Sequence, residues 1–456
     1  MPVDRRSFIQ TLLGSSLFGL GATSACSSPR PFPAGGILPP PPNASAIDHI
    51  IVVTMENRSF DHFFGWLPNA DGWLTKDPNL TFTDNSGHTY PPQNLGTDYT
   101  GCGHPVPNNS YGTPNLTAYD NGKMDGFLRV PGNDIYSIGY YTAPDMPFLS
   151  AFAQAYTTYD HWFASILAET FPNRMFLWAA QTDRLTNTYS LSGLPTIFDR
   201  LSSAGISHRY YFNNVPFLAL WGVKYLFSTS TFSDFLDDAA SGKLPSVSFV
   251  DPRFTELDDG LGNDDHPHSD IRNGDAFLSK IFHTVANGPK WASTVLIVTF
   301  DEWGGFFDHV APPLAVPANN VDTHFINGKV LLGFRVPTII ASPFTRGTNR
   351  LDSSIYDHTS ILKLIEWRWN LPPLTPRDAA MNNPAANFNF SSSDPTVPAL
   401  PQPTEVQGFP CFGQGLTPRV EGPTPPQSAT KSEFGALKDT EAVRTWLQDP
   451  RFQKTP

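Results

Sequence analysis

Apolar strands that alternate with helices constrain the fold of this chain more than any other feature. Four short runs have the length and β-branched content of buried strands, and longer amphipathic runs separate them. This alternation predicts an α/β fold with a central, mostly parallel sheet flanked by helices. The predicted strands are Ile50–Thr54, Ser246–Val250, Val295–Phe300 and Val336–Ala341. The predicted helices are Met146–Ala155, Asn173–Gln181, Thr196–Ala204, Gly274–Ala286 and Thr359–Trp369.

Two of the predicted strands end in paired polar side chains. Glu56 and Asn57 follow the first strand, and Asp301 and Glu302 follow the third. Ligands of open parallel sheets bind outside the carboxyl ends of the strands, and three carboxylates gathered there would repel one another without a cation. Such oxygen ligands suit Ca²⁺ or Mg²⁺, or Zn²⁺ if histidines join them. Together the two pairs predict a divalent metal site, although either pair alone is better explained as the solvated end of a strand.

A hydroxyl beside a predicted helix start is a candidate nucleophile. Thr170 lies just before Pro172, and proline favours the first position of a helix. The positive end of the helix dipole favours anions, and a nearby cation would lower the pKa of the hydroxyl. Arg174 follows as a candidate ligand for a substrate phosphate. The alternative for Thr170 is an ordinary helix cap.

Histidines in polar loops are candidates for proton transfer and for stabilising a phosphoryl transition state. Gly304 and Gly305 permit a tight turn, which is expected to return Asp308 and His309 towards the strand-end carboxylates. The candidate histidines are His104, His266, His268 and His309.

The N-terminal 26 residues have the pattern of a twin-arginine export signal. Arg5 and Arg6 precede the apolar stretch Leu12–Ala22, which is too short to span a bilayer, and small residues follow up to Cys26. The last of these residues are also similar to a lipoprotein processing site. We therefore expect an exported protein, with periplasmic, secreted and lipid-anchored locations all open.

The remaining sequence suggests three further regions. Residues 27–43 are rich in proline and are expected to form a spacer, and residues 44–370 are expected to form the catalytic domain. Residues 371–456 are expected to form a wrapping tail with a short helical pattern near Ser432–Leu447. After the signal, Cys102 and Cys411 remain, either as a disulfide or as two buried thiols.

Composition narrows the functional classes. Of the 456 residues, 40% are hydrophobic and 16% are charged, which is typical of a globular protein. The net charge of −12 argues against electrostatic capture of nucleic acid.

Five sequence blocks, taken in order, resemble the signatures of the bacterial phosphoesterase family. They are MENRSFDHFFG, TFPNRMFLW, DDHPHSDI, TFDEWGGFFDHVAPP and GFRVPTIIASPF. The family contains phosphatidylcholine-type phospholipases C, plant non-specific phospholipases C and a branch of acid phosphatases. The resemblance implies an alkaline-phosphatase-like fold and a hydroxyl nucleophile that becomes a covalent phospho-enzyme.

The resemblance also implies roles for individual residues. Thr170 matches the nucleophile, and the Asp301-Glu302 pair favours the phospholipases over some acid phosphatases, which have Asp-Asp. The implied metal ligands are Glu56, Asn57, Asp301 and Glu302. The histidines that match positions around the phosphate are His104, His266 and His309.

We therefore expect an exported, metal-dependent phosphoric ester hydrolase. The predicted activity is that of a phospholipase C, which cleaves the glycerol-phosphate bond of phospholipids through a phospho-threonine and contacts the membrane surface peripherally. One alternative is an acid phosphatase that acts on small phosphomonoesters. An alternative of another class is an exported protein that binds a metal or an anion without catalysis.

Overall fold

An eight-stranded sheet forms the centre of the computed structural model, which describes residues 47–256, 261–347, 349–408, 411 and 431–453. The strand order is β8-β2-β7-β6-β1-β5-β3-β4. Every neighbouring pair is parallel except the two pairs that contain β7. The strands are β1 His49–Met55, β2 Thr157–Tyr159, β3 His208–Phe212, β4 Thr229–Thr231, β5 Val247–Val250, β6 Thr294–Phe300, β7 Thr338–Ala341 and β8 Arg350–Asp352. The predicted α/β class with a mostly parallel sheet is confirmed.

The two central strands, β1 and β6, end side by side. They pair in parallel with Met55 opposite Phe300, so the residues that follow each strand emerge at the same edge of the sheet. All residues of both strands are buried, as their continuous apolar sequences predict.

Helices surround the sheet, and most begin and end close to their predicted positions. The largest differences are at the starts of α5 and α8, which begin at Thr170 and Ile271, each three residues before the predicted start. Pro172 is therefore the third residue of α5 and not its first. Within the described part of the chain, no helix has both the length and the apolar character needed to cross a bilayer. The helices are α1 Phe60–Phe64, α2 Trp73–Lys76, α3 Thr113–Tyr119, α4 Pro147–Ala155, α5 Thr170–Ala179, α6 Ile197–Ser203, α7 Phe232–Ser241, α8 Ile271–Ala286, α9 Thr359–Trp369, α10 Pro376–Ala380, α11 Glu433–Lys438 and α12 Glu441–Leu447.

Short strands outside the main sheet form small ribbons among the loops. They are Phe82–Thr83, Thr89–Tyr90, Gln93–Asn94, Gly139–Tyr140, Trp162–Phe163, Leu314–Ala315, Phe325–Ile326, Lys329–Leu331 and Tyr356–Asp357. The predicted export signal (residues 1–26) and spacer (residues 27–43) lie outside the described residues.

The C-terminal helices α11 and α12 pack against the body of the protein. Phe434 stacks on Phe254 with ring centroids 3.6 Å apart. Trp446 is fully buried, and its indole N–H donates to the Gly222 carbonyl at 2.9 Å. These contacts hold both helices against the body of the protein. The helical pattern predicted near the C-terminus therefore corresponds to two short helices.

A disulfide joins Cys102 to Cys411, which are 309 residues apart in the sequence. Of the two states that the sequence allowed, a disulfide or two buried thiols, the structure therefore has the disulfide. A cross-link over so long a loop restricts the unfolded chain, and removing a native disulfide from a small domain typically costs about 2–5 kcal/mol.

We expect the double variant Cys102→Ser/Cys411→Ser to lose roughly 2–5 kcal/mol of unfolding free energy, because its unfolded chain is no longer cross-linked. Urea denaturation of the oxidised wild type and of the variant measures this difference. Reductant should lower the unfolding free energy of the wild type to that of the variant and should not change the unfolding free energy of the variant. Equal stability of the two oxidised proteins would contradict the expectation.

Candidate active site

The polar pairs that follow β1 and β6 meet at the carboxyl edge of the sheet, as predicted. Asn57 adopts a left-handed backbone conformation (φ 53°), which asparagine tolerates better than most residues. Its backbone N–H donates to Asp301 Oδ1 at 3.1 Å, and the N–H of Glu302 donates to the same oxygen at 2.8 Å. Glu56 and Glu302 are fully buried beside them. The turn therefore gathers three carboxylates and one amide within the protein.

A tight turn at Gly304 supports this arrangement. Gly304 has a positive φ of 64°, and a Cβ at this position would lie 2.1 Å from the Asn57 carbonyl oxygen. Its N–H donates to Glu302 Oε2 at 2.7 Å, while Asn109 donates to Glu302 Oε1 at 2.6 Å. Both oxygens of Glu302 are thus fixed by neighbours.

Arg174 is the buried counter-ion of this cluster. It projects from α5, and its Nε donates to Glu56 Oε1 at 2.7 Å. Its remaining guanidinium nitrogens donate to Asp251 Oδ1 at 2.9 Å and to the Thr54 carbonyl at 3.2 Å. Sequence reasoning did not foresee this role, and the contact of Arg174 with a substrate phosphate stays a prediction.

The cluster remains rich in negative charge despite Arg174. Burial raises the pKa of Glu56 well above its usual range, although Arg174 opposes this effect. Burial likewise raises the pKa of Asp301 to about 7, and burial with the nearby Asp301 raises that of Glu302. Such shifts mean that the ionised forms lack sufficient positive charge around them.

The oxygen atoms of this cluster suit a hard divalent cation. Among the described residues, Glu56 Oε2 and Asp301 Oδ2 are buried without a hydrogen-bond partner, whereas buried polar atoms normally have one. A cation held by the two carboxylates and the Asn57 amide oxygen would satisfy both orphaned atoms. The predicted ligands Glu56, Asn57 and Asp301 therefore fit a metal, and Glu302 lies beside them.

The hydroxyl of Thr170 faces this cluster. Its Oγ1 donates to Asn57 Oδ1 and is also 3.3 Å from Glu433 Oε1. The N-cap of α5 is Glu169, and Thr170 is the first residue of the helix. The hydroxyl therefore has neighbours other than the backbone N–H groups that a helix cap would bind, as a nucleophile beside a metal site requires.

His266 and Glu433 lie on the other side of Thr170. His266 Nε2 is 3.5 Å from Glu433 Oε1, and its Nδ1 contacts the Pro267 carbonyl. This places His266, one of the predicted catalytic histidines, next to a carboxylate that contacts Thr170. Sequence reasoning missed Glu433 because it lies in the predicted tail, 263 residues after Thr170, without a motif around it.

His358 is a second residue that sequence reasoning missed. Its Nε2 donates to the Asp301 carbonyl at 2.6 Å, and burial lowers its pKa to about 4. A neutral imidazole thus supports the backbone at the end of β6. The sequence feature that could have indicated His358 is the Asp-His pair that immediately precedes α9.

The structure places His309 in a second polar cluster around Arg335. Its Nδ1 is 2.5 Å from Asp61 Oδ2, and its Nε2 is 3.5 Å from Asp71. Burial lowers the pKa of His309, but Asp61 and Asp71 together outweigh burial and raise this pKa to about 9. Asp61, Asp308 and His309 offer ligand atoms within 4.8 Å of one another, so they could also hold a metal. The catalytic role of His309 stays a prediction.

His104 and His268 lie together near the disulfide. His104 Nδ1 is 2.7 Å from Asp134 Oδ2, and its ring stacks on Tyr136. The carbonyl of His104 is 2.9 Å from His268 Nε2. The expected contact of His104 with a substrate phosphate stays a prediction.

Comparison with known proteins identifies the family to which this site belongs. The model of the phosphoesterase family matches residues 47–372, which is most of the chain. The chain belongs to the phosphoesterase family. This phosphoesterase is a phosphoric ester hydrolase, as its relatives are.

Curated relatives of this phosphoesterase come from plants and bacteria. It is 33% identical to non-specific phospholipase C6 of Arabidopsis thaliana, over 78% of this chain and 74% of the relative. It is 28% identical to phospholipase C B of Mycobacterium tuberculosis, over 88% of this chain and 89% of the relative. Among solved structures, this chain is similar to a protein in the alkaline phosphatase superfamily from Vibrio parahaemolyticus. The TM-score is 0.37 and the sequence identity 11%, over 76% of this chain and 73% of that chain.

We expect the strand-end carboxylates to hold a divalent metal, so Asp301→Asn should bind much less of it than the wild type. The substitution removes one negative charge and the orphaned Oδ2 as an anionic ligand. Elemental analysis of both purified proteins measures the difference. Asp308→Asn is the matched control, because it changes the other candidate group. Loss of metal in the control alone would move the site to the Arg335 cluster.

Proposed function

We propose that this phosphoesterase is a phospholipase C that cleaves the glycerol-phosphate bond of phospholipids through a covalent phospho-threonine. The observation that carries the proposal is the position of the Thr170 hydroxyl, which faces Asn57 Oδ1 at 3.3 Å beside carboxylate oxygens that lack hydrogen-bond partners. The names of the plant and mycobacterial relatives support a phospholipid as the substrate.

In this mechanism Thr170 Oγ1 attacks the phosphorus atom in line with the bond to glycerol. Glu56, Asn57 and Asp301 would hold a divalent cation, which when bound offsets the negative charge of the cluster and of the phosphate and lowers the pKa of the hydroxyl. His266 gives a proton to the departing glycerol oxygen. Water then attacks the phospho-threonine and frees Thr170 for the next turnover.

The buried position of the reacting groups supports electrostatic catalysis. Thr170 is only 1% exposed, and the groups around it are fixed by helix α5 and by the ends of β1 and β6. Charges and dipoles in such a site act in a low dielectric and need little reorganisation during the reaction. Because other side chains cover Thr170, substrate must pass between them to reach its hydroxyl.

We expect Thr170→Ala to remain folded and metal-loaded while its turnover falls by several powers of ten, with about 1.4 kcal/mol of barrier for each tenfold loss. Thr170→Ser retains a hydroxyl and should keep measurable activity. Acid-quenched wild type with labelled substrate should carry phosphate on Thr170, as seen by peptide mass. Near wild-type turnover of Thr170→Ala with a lower melting temperature would assign Thr170 to helix stability and the attack to water.

The substrate class can be tested with the purified protein and divalent metals. A choline phospholipid, a phosphodiester dye and a phosphomonoester dye are offered at equal concentrations. Preference for the phospholipid and the diester supports a phospholipase C that works at a membrane surface. Preference for the monoester would instead assign the activity of an acid phosphatase.

We also propose that the protein is exported by its twin-arginine signal. The Cys102–Cys411 disulfide supports this, because disulfides persist in oxidising compartments outside the cytosol.

We expect the variant Arg5→Lys/Arg6→Lys to leave precursor in the cytoplasm, because the pair directs folded export. Cell fractionation followed by immunoblotting measures the distribution, and normal export of the variant would make the pair incidental. Incorporation of a labelled lipid precursor that is lost in Cys26→Ala would identify the anchored form. Unlabelled wild type would indicate a free periplasmic or secreted protein.

A further inference from the structure

One carboxylate at the nucleophile comes from outside the range that the family model matches. That range ends at residue 372, whereas Glu433 is the first residue of α11. Its Oε1 is 3.3 Å from Thr170 Oγ1 and 3.5 Å from His266 Nε2. The C-terminal segment therefore brings a carboxylate between the nucleophile and the histidine that faces it.

Contacts on both sides of Glu433 fix its position. The Ser432 N–H donates to the Glu256 carbonyl at 3.1 Å, and its hydroxyl donates to the Thr255 carbonyl. Phe434 is buried among aromatic rings, and a Cβ on Gly435 would lie 1.8 Å from the Glu256 carbonyl oxygen. The backbone of α11 is thus held tightly against the loop that follows β5, and Glu433 has little freedom to leave.

Glu433 adds negative charge beside the carboxyl groups that follow β1 and β6. Its charge acts on Glu56, Asp301 and Glu302 and adds to the factors that raise the pKa of each of these carboxyl groups. Like charges at short distance in a buried site destabilise one another. Glu433 is therefore part of the charged surroundings of Thr170, and its contacts there indicate its chemistry.

The neighbours of the Thr170 hydroxyl indicate what that chemistry is. Two acceptors lie within hydrogen-bond distance of the Thr170 hydroxyl. The Asn57 amide oxygen and a Glu433 carboxylate oxygen are each 3.3 Å from its Oγ1. An amide oxygen is too weak a base to take the proton, whereas a carboxylate is a common general base. Glu433 is within reach of the proton that Thr170 must lose before it can attack.

We propose that Glu433 is the general base that deprotonates Thr170, an assignment that rests on the proposed phospho-threonine mechanism. As the bond between Oγ1 and phosphorus forms, the hydroxyl proton moves to Glu433, and the bond between phosphorus and the leaving oxygen breaks. The leaving alkoxide takes a proton from protonated His266 and departs as an alcohol. Transfer of the proton from Glu433 to His266, across the 3.5 Å contact, restores both groups.

The test compares Glu433→Gln with a matched control, Glu441→Gln. Glu441 is also the first residue of a C-terminal helix and follows a capping threonine, but its side chain is exposed. Both substitutions remove the same charge from a helix start, so Glu441→Gln controls for the loss of that charge. Glutamine has nearly the shape of glutamate and removes a like charge from the cluster, so the variant is expected to fold.

Rapid acid quench of metal-loaded protein with a phosphodiester dye measures the rate at which Thr170 is phosphorylated. Loss of a general base slows this step by about 10²–10⁴-fold. We expect such a loss in Glu433→Gln, with wild-type metal content and melting temperature, and wild-type behaviour of Glu441→Gln. These three results together support the assignment.

Several outcomes would overturn it. An unchanged or faster rate in Glu433→Gln would make Glu433 a bystander or a plug that blocks the site. A parallel loss of metal would make it a ligand, and a large fall in melting temperature would make it structural. Absence of phospho-Thr170 in the wild type would instead overturn the proposed phospho-threonine mechanism, which separates the two failures.

Discussion

The ion pairs of Arg174 hold the centre of this protein together. Its guanidinium is fully buried and contacts Glu56 and Asp251, which follow neighbouring strands of the sheet. Removing one partner of a buried ion pair strongly destabilises a protein, because the remaining charge is left in a low dielectric. Since Arg174 lies one turn after Thr170, the same ion pairs also fix the start of α5 against the strand ends. Stability and the position of Thr170, the proposed nucleophile, therefore depend on one side chain.

Arg335 has a comparable role in the second polar cluster. It is fully buried and contacts Asp61 at 3.3 Å and Asp308 at 2.9 Å. Asp308 and His309 reach it from the loop that begins at Asp301, after the turn at Gly304. The two clusters thus share one loop, so a shift of that loop would affect both. This coupling gives the turn at Gly304 a structural role in both clusters.

The described part of the C-terminal segment adds residues to the site, although none of them belongs to a strand of the main sheet. It packs Phe434 against Phe254 and carries Glu433 to Thr170, and the disulfide to Cys102 joins another part of it to the body. The site thus combines residues that follow β1 and β6 with the first residues of α5 and α11.

The sequence by itself determined four of the eight strands of the main sheet, the class of fold and the polar residues at the strand ends. Continuous apolar runs such as His49–Met55 have a local signature, because burial on both faces of a sheet excludes polar side chains. Glu56 and Asp301 could be predicted to meet because parallel strands end at a common edge. The sequence motifs also indicated the family, since five ordered blocks are a specific pattern.

Only the tertiary structure decided which charges neutralise which, and which distant residues complete the site. Arg174 suggested a phosphate ligand from sequence, but in the structure it pairs with Glu56 and Asp251. His309 was expected beside the strand-end carboxylates, whereas its contacts are with Asp61 and Asp71. Glu433 could not be found at all, because a carboxylate in a tail has no periodicity or motif that indicates its neighbours. Contacts between residues hundreds of positions apart are set by how helices and loops pack, and local sequence patterns do not encode that packing.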